Sequence, residues 1–255
     1  MDETRQVRTG PVPVVAGDYG GSGRDVLLLP GGGRTRRDWD TFAGLLHESG
    51  YRPVALDLRG HGESGAAPWS WPGALADVSA VVDELHLDRP VVIGHSLGGM
   101  VAALWATQHD DCPLAVNVDG HGNPTRADQF LGADGAAVAR QSLITFLGNA
   151  VEELPDALAQ LMSEVHALDL FAVYRAARCP LLVVSGVAEG SALFLPEHLQ
   201  AAWEAYRVWV WRELDTVARE VPLVSVASLP TGHDVHREDP QGLLRLVVSH
   251  LPEGG

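Results

Sequence analysis

Ser96 sits in the string Gly94-His95-Ser96-Leu97-Gly98, a match to G-x-S-x-G. The apolar run Val91–Ile93 precedes it and Met100–Ala106 follows it, which read as a buried strand and a buried helix. A serine at so sharp a strand-to-helix turn occupies strained backbone, so the residues two before and two after it must lack side chains. Gly94 and Gly98 meet that need. The turn would lift the hydroxyl above the sheet edge, with the N–H groups of the following helix aimed at it. A serine hydroxyl is a weak nucleophile until a base takes its proton. His233, in the loop Pro230-Thr231-Gly232-His233 after a strand, is the candidate base. Of the other histidines, His95 is expected to face away from the base position and His236 to be solvated. His61 and His121 are loop residues that could line a pocket.

The base in turn needs a carboxylate to orient its ring and stabilise its cation. Asp119 closes Val116-Asn117-Val118-Asp119-Gly120, a strand followed by an acid, next to the nucleophile's own strand. Glu189 lies three residues past Gly186, after a later strand. Both fall at strand C-terminal ends, the edge where ligands bind in such sheets. Asp119 is favoured, and Glu189 is the alternative acid. An oxyanion is held by backbone donors, and the turn geometry makes Leu97 N–H one of them. The glycines of Pro30-Gly31-Gly32-Gly33 would let the chain pass close to a substrate carbonyl.

The elements that must position these residues alternate. Strands are expected at Val12–Ala16, Asp25–Leu29, Arg52–Leu58, Pro90–Ile93, Leu114–Val118, Leu181–Val184 and Pro222–Leu229. Helices are expected between them, including Thr35–Ser49, Ala74–Leu85, Pro196–Arg219 and Pro240–His250. This rhythm predicts an α/β fold, a mainly parallel central sheet with helices on both faces. Residues 123–178 break it with several short helices and read as an inserted cap on a core of 1–122 and 179–255. Trp69, Trp71, Phe130, Leu131, Leu143, Phe146 and Leu147 are candidate pocket walls or ordinary packing. In the long helix, Leu199, Trp203, Tyr206, Val210, Leu214 and Val217 form one stripe. Trp209 and Trp211 flank it and need a second cover: the loop after Gly186, the cap, or a partner subunit in a homodimer.

Composition narrows the partners. The net charge of −15 argues against nucleic acid and anionic membranes. No apolar run approaches the ~20 residues that span a bilayer. Met1-Asp2-Glu3-Thr4-Arg5 lacks the basic-then-apolar order of a signal peptide. Cys112 and Cys179 each precede a proline and are expected to be buried free thiols in a reducing, cytoplasmic setting. No metal-ligand spacing appears, and neither metal nor cofactor is expected.

Taken together, these motifs resemble the α/β-hydrolase family over nearly the whole chain. The matching residues are Pro30-Gly31-Gly32-Gly33 with Trp39 downstream, Asp57-Leu58-Arg59-Gly60-His61-Gly62-Glu63-Ser64, the turn at Ser96, and Gly232-His233. Pro30 stands where many members carry His before the first glycine. The resemblance implies Gly32 N–H as the second oxyanion donor beside Leu97, with Gly33 the near alternative. It implies that Asp57, Arg59 and Ser64 tie their loop to its neighbours. Most members place the acid where Glu189 lies, whereas some, certain lactone hydrolases among them, take it from the strand ending at Asp119. Serine at the turn argues against members that use Asp there, such as haloalkane dehalogenases and epoxide hydrolases. The implied activity is hydrolysis of a small-molecule ester, lactone or thioester through an acyl-serine. The alternatives are an acyltransferase of secondary metabolism using the same acyl-serine, or a non-catalytic ligand-binding protein.

Overall fold

A computed structural model describes residues 3–9, 12–130, 137–152, 154–188 and 195–252. In chain order the strands are β1 (Glu3–Thr9), β2 (Val12–Asp18), β3 (Asp25–Leu29), β4 (Arg52–Asp57), β5 (Val91–His95), β6 (Ala115–Val118), β7 (Leu181–Gly186) and β8 (Val224–Leu229). The helices are α1 (Asp40–Glu48), α2 (Trp71–Glu84), α3 (Leu97–Ala106), α4 (Ala137–Glu152), α5 (Asp156–Ala167), α6 (Leu170–Arg175), α7 (Glu197–Glu220), α8 (Val235–Glu238) and α9 (Pro240–His250). The strands form one sheet in the order β1-β2-β4-β3-β5-β6-β7-β8. β1 pairs antiparallel with β2 and β2 antiparallel with β4, while the other pairs are parallel.

Burial of both sheet faces follows from the strand sequences. Leu27 and Leu29 of β3 enter one core layer, and Val26 and Leu28 enter the other. Leu181 and Val183 of β7 divide from Leu182 and Val184 in the same way. Residues from α2, α3 and α7 build the first layer, and residues from α1 and α9 the second. A strand apolar on both faces is the signature of a covered parallel sheet. β1 was not expected from the sequence, since its residues, ETRQVRT, lack a run of apolar side chains.

α4, α5 and α6 lie between β6 and β7, where the strand rhythm breaks. Trp71 Nε1 donates to Glu164 O on α5 at 3.3 Å, and Gln160 Nε2 to Trp69 O at 3.5 Å. Trp69, Trp71, Phe130 and Leu143 are buried in the first core layer, whereas Phe146 is exposed. Leu131 lies outside the described residues. Trp209 is half-buried, packed within the chain against Phe171 on α6, centroids 5.3 Å apart, and Tyr206 at 5.9 Å. Trp211 is half-buried. No helix among the described residues is long and apolar enough to cross a membrane.

Candidate active site

Ser96 joins β5 to α3 with φ +50° and ψ −114°, a left-handed backbone that a side chain rarely adopts. Two glycines make this turn possible. A Cβ on Gly94 would run into the Gly98 carbonyl, and one on Gly98 would stand 2.6 Å from Pro30 O. Strain of this kind persists only where the surroundings over-determine it, and it concentrates at functional sites. Behind the turn, Ser96 N–H donates to Val118 O at 2.9 Å, and Met100 N–H reaches Ser96 O at 3.1 Å.

Asp119 follows β6, next to β5, and also has a positive φ, +51°. Its backbone is pinned by Val184 O, which accepts from Asp119 N–H at 2.7 Å. Its side chain divides its two oxygens. Oδ1 accepts from Gly186 N–H at 3.0 Å, and Oδ2 lies 2.7 Å from His233 Nδ1. Asn117 shapes the turn beneath: Oδ1 accepts from Gly120 N–H at 2.8 Å, and Nδ2 donates to Gly120 O at 3.0 Å and to Tyr174 Oη at 2.7 Å. Glu189 lies outside the described residues.

The electrostatics of the Asp119–His233 pair reinforce it. Burial pulls the Asp119 carboxyl up, but the hydrogen bond from His233 and the neighbouring His121 and His233 rings more than offset it, leaving the pKa below the ordinary value. Burial pulls His233 down, but the hydrogen bond and charge of Asp119, with Asp234, more than offset it, leaving the pKa above the ordinary value. The His233 side chain is half-exposed, with Nδ1 engaged by Asp119. No hydrogen bond joins His233 to Ser96 Oγ among the described residues.

Gly31 and Gly32 stand beside Ser96 and Leu97. The Cβ position of Gly31 is 3.4 Å from Ser96 Cβ, and that of Gly32 is 3.8 Å from Leu97 Cδ2. Arg34 N–H closes this turn onto Gly31 O at 3.1 Å, and Gly33 has φ +70°. Arg34 then clamps the base loop, its Nη2 lying 2.8 and 2.9 Å from the two carboxylate oxygens of Asp234.

Two histidines lie where the sequence did not suggest. His236 is buried, not solvated, at 1 % exposure between the rings of Trp39 and His95, each 4.4 Å away. Trp39 and the short helix α8 close over it, which its exposed-looking neighbours Arg237 and Glu238 conceal. His95 does not turn away from the base loop: its Nε2 lies 2.9 Å from His233 O. His121 is largely buried against Ser185 Oγ at 2.9 Å and Asp119 Oδ1 at 3.9 Å, and burial lowers its pKa. His61 Nδ1 is turned onto Arg59 O at 2.9 Å. Beneath that loop, buried Asp57 accepts from Arg36 N–H and Nη1 at 2.6 Å each, Arg59 pairs with Asp77 at 2.7 Å, and Ser64 Oγ donates to Asp57 O. His121 also lines a cavity of about 120 Å³, with Asn123, Val165, His166, Phe171 and Trp209 among others.

The comparisons identify the family and the fold. The profile of the alpha/beta hydrolase family matches residues 26–246. The chain belongs to that family. As an alpha/beta hydrolase it is 38 % identical over 97 residues to protein phosphatase methylesterase 1 of Bos taurus, a match covering 35 % of this chain and 26 % of that protein. It is 37 % identical over 91 residues to a non-heme haloperoxidase of Rhodococcus erythropolis, covering 35 % of this chain and 33 % of that one. These matches span only about a quarter to a third of the curated relatives. Among solved structures, the enol-lactonase of Burkholderia xenovorans LB400 superposes on this alpha/beta hydrolase with a TM-score of 0.67, covering 97 % of this chain and 99 % of that one at 19 % identity. That likeness is one of fold.

Proposed function

We propose that this alpha/beta hydrolase cleaves a carboxylic ester, lactone or thioester of a small molecule through an acyl-serine on Ser96. The observation that carries the reading is the Asp119–His233 contact of 2.7 Å at the same sheet edge as the strained Ser96. In this reading Ser96 Oγ attacks the substrate carbonyl carbon and its proton passes to His233 Nε2. Asp119 fixes the tautomer by accepting from Nδ1–H and stabilises the imidazolium. The oxyanion lies against Leu97 N–H, at the positive end of α3, and Gly32 N–H across from it. When the tetrahedral intermediate collapses, the leaving group takes the proton from Nε2. Water, deprotonated by the same nitrogen, then releases the acid and restores Ser96.

A relative named as a methylesterase supports a carboxylic ester as the bond cleaved. In the same reading, residues 123–178 serve as a lid over the site, and the two buried free thiols fit a reducing compartment such as the cytoplasm. Ser96→Ala tests the proposal. It should remove labelling by a fluorophosphonate and lower ester turnover by about 10⁴–10⁶-fold without changing the fold. An alanine variant that hydrolyses esters near the wild-type rate refutes it.

A further inference from the structure

His95 ends β5 and is covalently joined to Ser96, yet its ring reaches two other parts of the site. Its Nε2 lies 2.9 Å from the carbonyl oxygen of His233, 138 residues on. A carbonyl only accepts, so this nitrogen carries a hydrogen and donates it. The ring is 1 % exposed, and burial, with His236 and His233 beside it, pushes its pKa down to about 3. A neutral ring protonated at Nε2 has a bare lone pair at Nδ1. That atom is buried without a hydrogen-bond partner, and the Cβ position of Gly31 lies 2.9 Å from it. Only a glycine fits over it. The ring faces are also occupied, by His233 at 4.6 Å and His236 at 4.4 Å.

We infer that His95 is a positioning residue that sets the base loop and the oxyanion turn against the nucleophile, by donating Nε2–H to His233 O and packing Nδ1 under Gly31. The inference rests on the acyl-serine reading. Its physical basis is that the His233 side chain is half-exposed and gripped at Nδ1 by Asp119, so the backbone must fix where Nε2 points. Arg34–Asp234 holds the next residue of the loop, but not the His233 carbonyl. With Nε2–H removed, that carbonyl loses its donor and the loop can settle elsewhere. A displacement of about 1 Å at a reacting group costs on the order of 10²-fold in rate.

His95→Leu and His95→Gln separate the hydrogen bond from the packing. The glutamine amide nitrogen sits the same number of bonds from Cα as Nε2 and can donate to the same carbonyl. His95→Leu should lower kcat by about 10²-fold, with KM changed less than about twofold, and slow fluorophosphonate labelling in parallel. His95→Gln should recover at least about tenfold of that loss. In wild-type protein, long-range ¹⁵N NMR should show His95 as the neutral Nε2–H tautomer from pH 5 to 9, a readout that does not depend on either variant folding. A labelled wild type with His95→Leu at full rate overturns this inference alone. So does a glutamine variant as slow as the leucine one, or a His95 protonated at Nδ1. A wild type that accepts no fluorophosphonate overturns the acyl-serine reading, and this inference with it.

Discussion

His236 offers a sharp test of the buried histidine layer. Burial is the main reason its pKa is pushed down, to about 4, and Arg34, Arg237 and His233 add to it while Asp234 opposes. Asp38 lies 3.6 Å from Nε2, but its charge is already engaged by Arg34 at 3.1 Å and Arg237 at 3.6 Å. His95 is pushed lower still, to about 3. A folded pKa below the unfolded 6.5 means that the unfolded chain binds protons that the folded chain does not. Stability is therefore complete above 6.5 and falls as pH drops toward the folded values. At pH 5 each such ring withdraws about 2 kcal/mol, against a few tenths at pH 7. That amount is set by the unfolded pKa, so it holds for any folded value well below 5. The two rings together remove about 4 kcal/mol between pH 7 and pH 5, from a domain total of ~5–15 kcal/mol. His233, whose pKa is raised, works in the opposite direction: its contribution is complete below the unfolded value and is lost as pH rises through the folded one. His236→Leu isolates one ring, since the other groups titrate in both proteins. Urea unfolding at pH 7 and pH 5 should show a pH-dependent loss about 2 kcal/mol smaller in the variant. At pH 7 the variant should lie within about 1 kcal/mol of wild type, because neither ring nitrogen of His236 has a hydrogen-bond partner to lose. Equal losses in the two proteins would show that the ring is charged or solvated, and would refute the account of the layer.

The remaining predictions concern the acid, the buried ion pair and assembly. The raised pKa of His233 should place the acid limb of kcat/KM above pH 6.5, since the base works only when neutral. Asp119→Asn should move that limb to lower pH and cut kcat by about 10⁴-fold, while Glu189→Gln changes it little; the reverse ranking would hand the role to Glu189. Asp57→Ala leaves the Arg36 guanidinium, 2 % exposed, without its buried partner, and should cost about 3–5 kcal/mol in denaturant unfolding. A subunit contact through α7 would use Trp211 and the exposed Val208, one turn apart, since Trp209 packs against Phe171 of α6. Light scattering should then give a dimer mass that Trp211→Glu with Val208→Glu converts to a monomer, and a monomeric wild type excludes the contact.

What could be read from the sequence was what local chemistry dictates. The turn at Ser96 is legible because two glycines must flank it, and they meet the Gly98 and Pro30 carbonyls as that argument requires. Asp119 stood out because an acid directly follows an apolar strand. The strand alternation was legible because the central strands β3, β5 and β7 are apolar on both faces. The illegible parts depend on residues far apart in the chain. The Arg34–Asp234 clamp spans 200 residues, and His95 meets His233 across 138. Nothing near His236 signals that Trp39 covers it. Asn117 lies inside an apolar run and looks like a flaw in the strand, yet its amide shapes the turn that carries Asp119. β1 is a polar edge strand, recognisable only by its pairing with β2.

The bond between Tyr174 and Asn117 bears on how such a chain changes its substrate over evolutionary time. Tyr174 belongs to α6, the last helix before β7, and its hydroxyl touches the amide that shapes the Asp119 turn. α6 also packs on α3, the helix that follows Ser96. A segment exchanged between relatives with its far junction beyond α6 would bring a foreign group against Asn117 and disturb the acid. With the junction near Asp169, α4 and α5 are replaced and this contact is kept. Exchange of α4 and α5 alone therefore leaves the Asp119 turn intact, provided the replacement keeps the core contacts of Leu143, Leu161 and Val165.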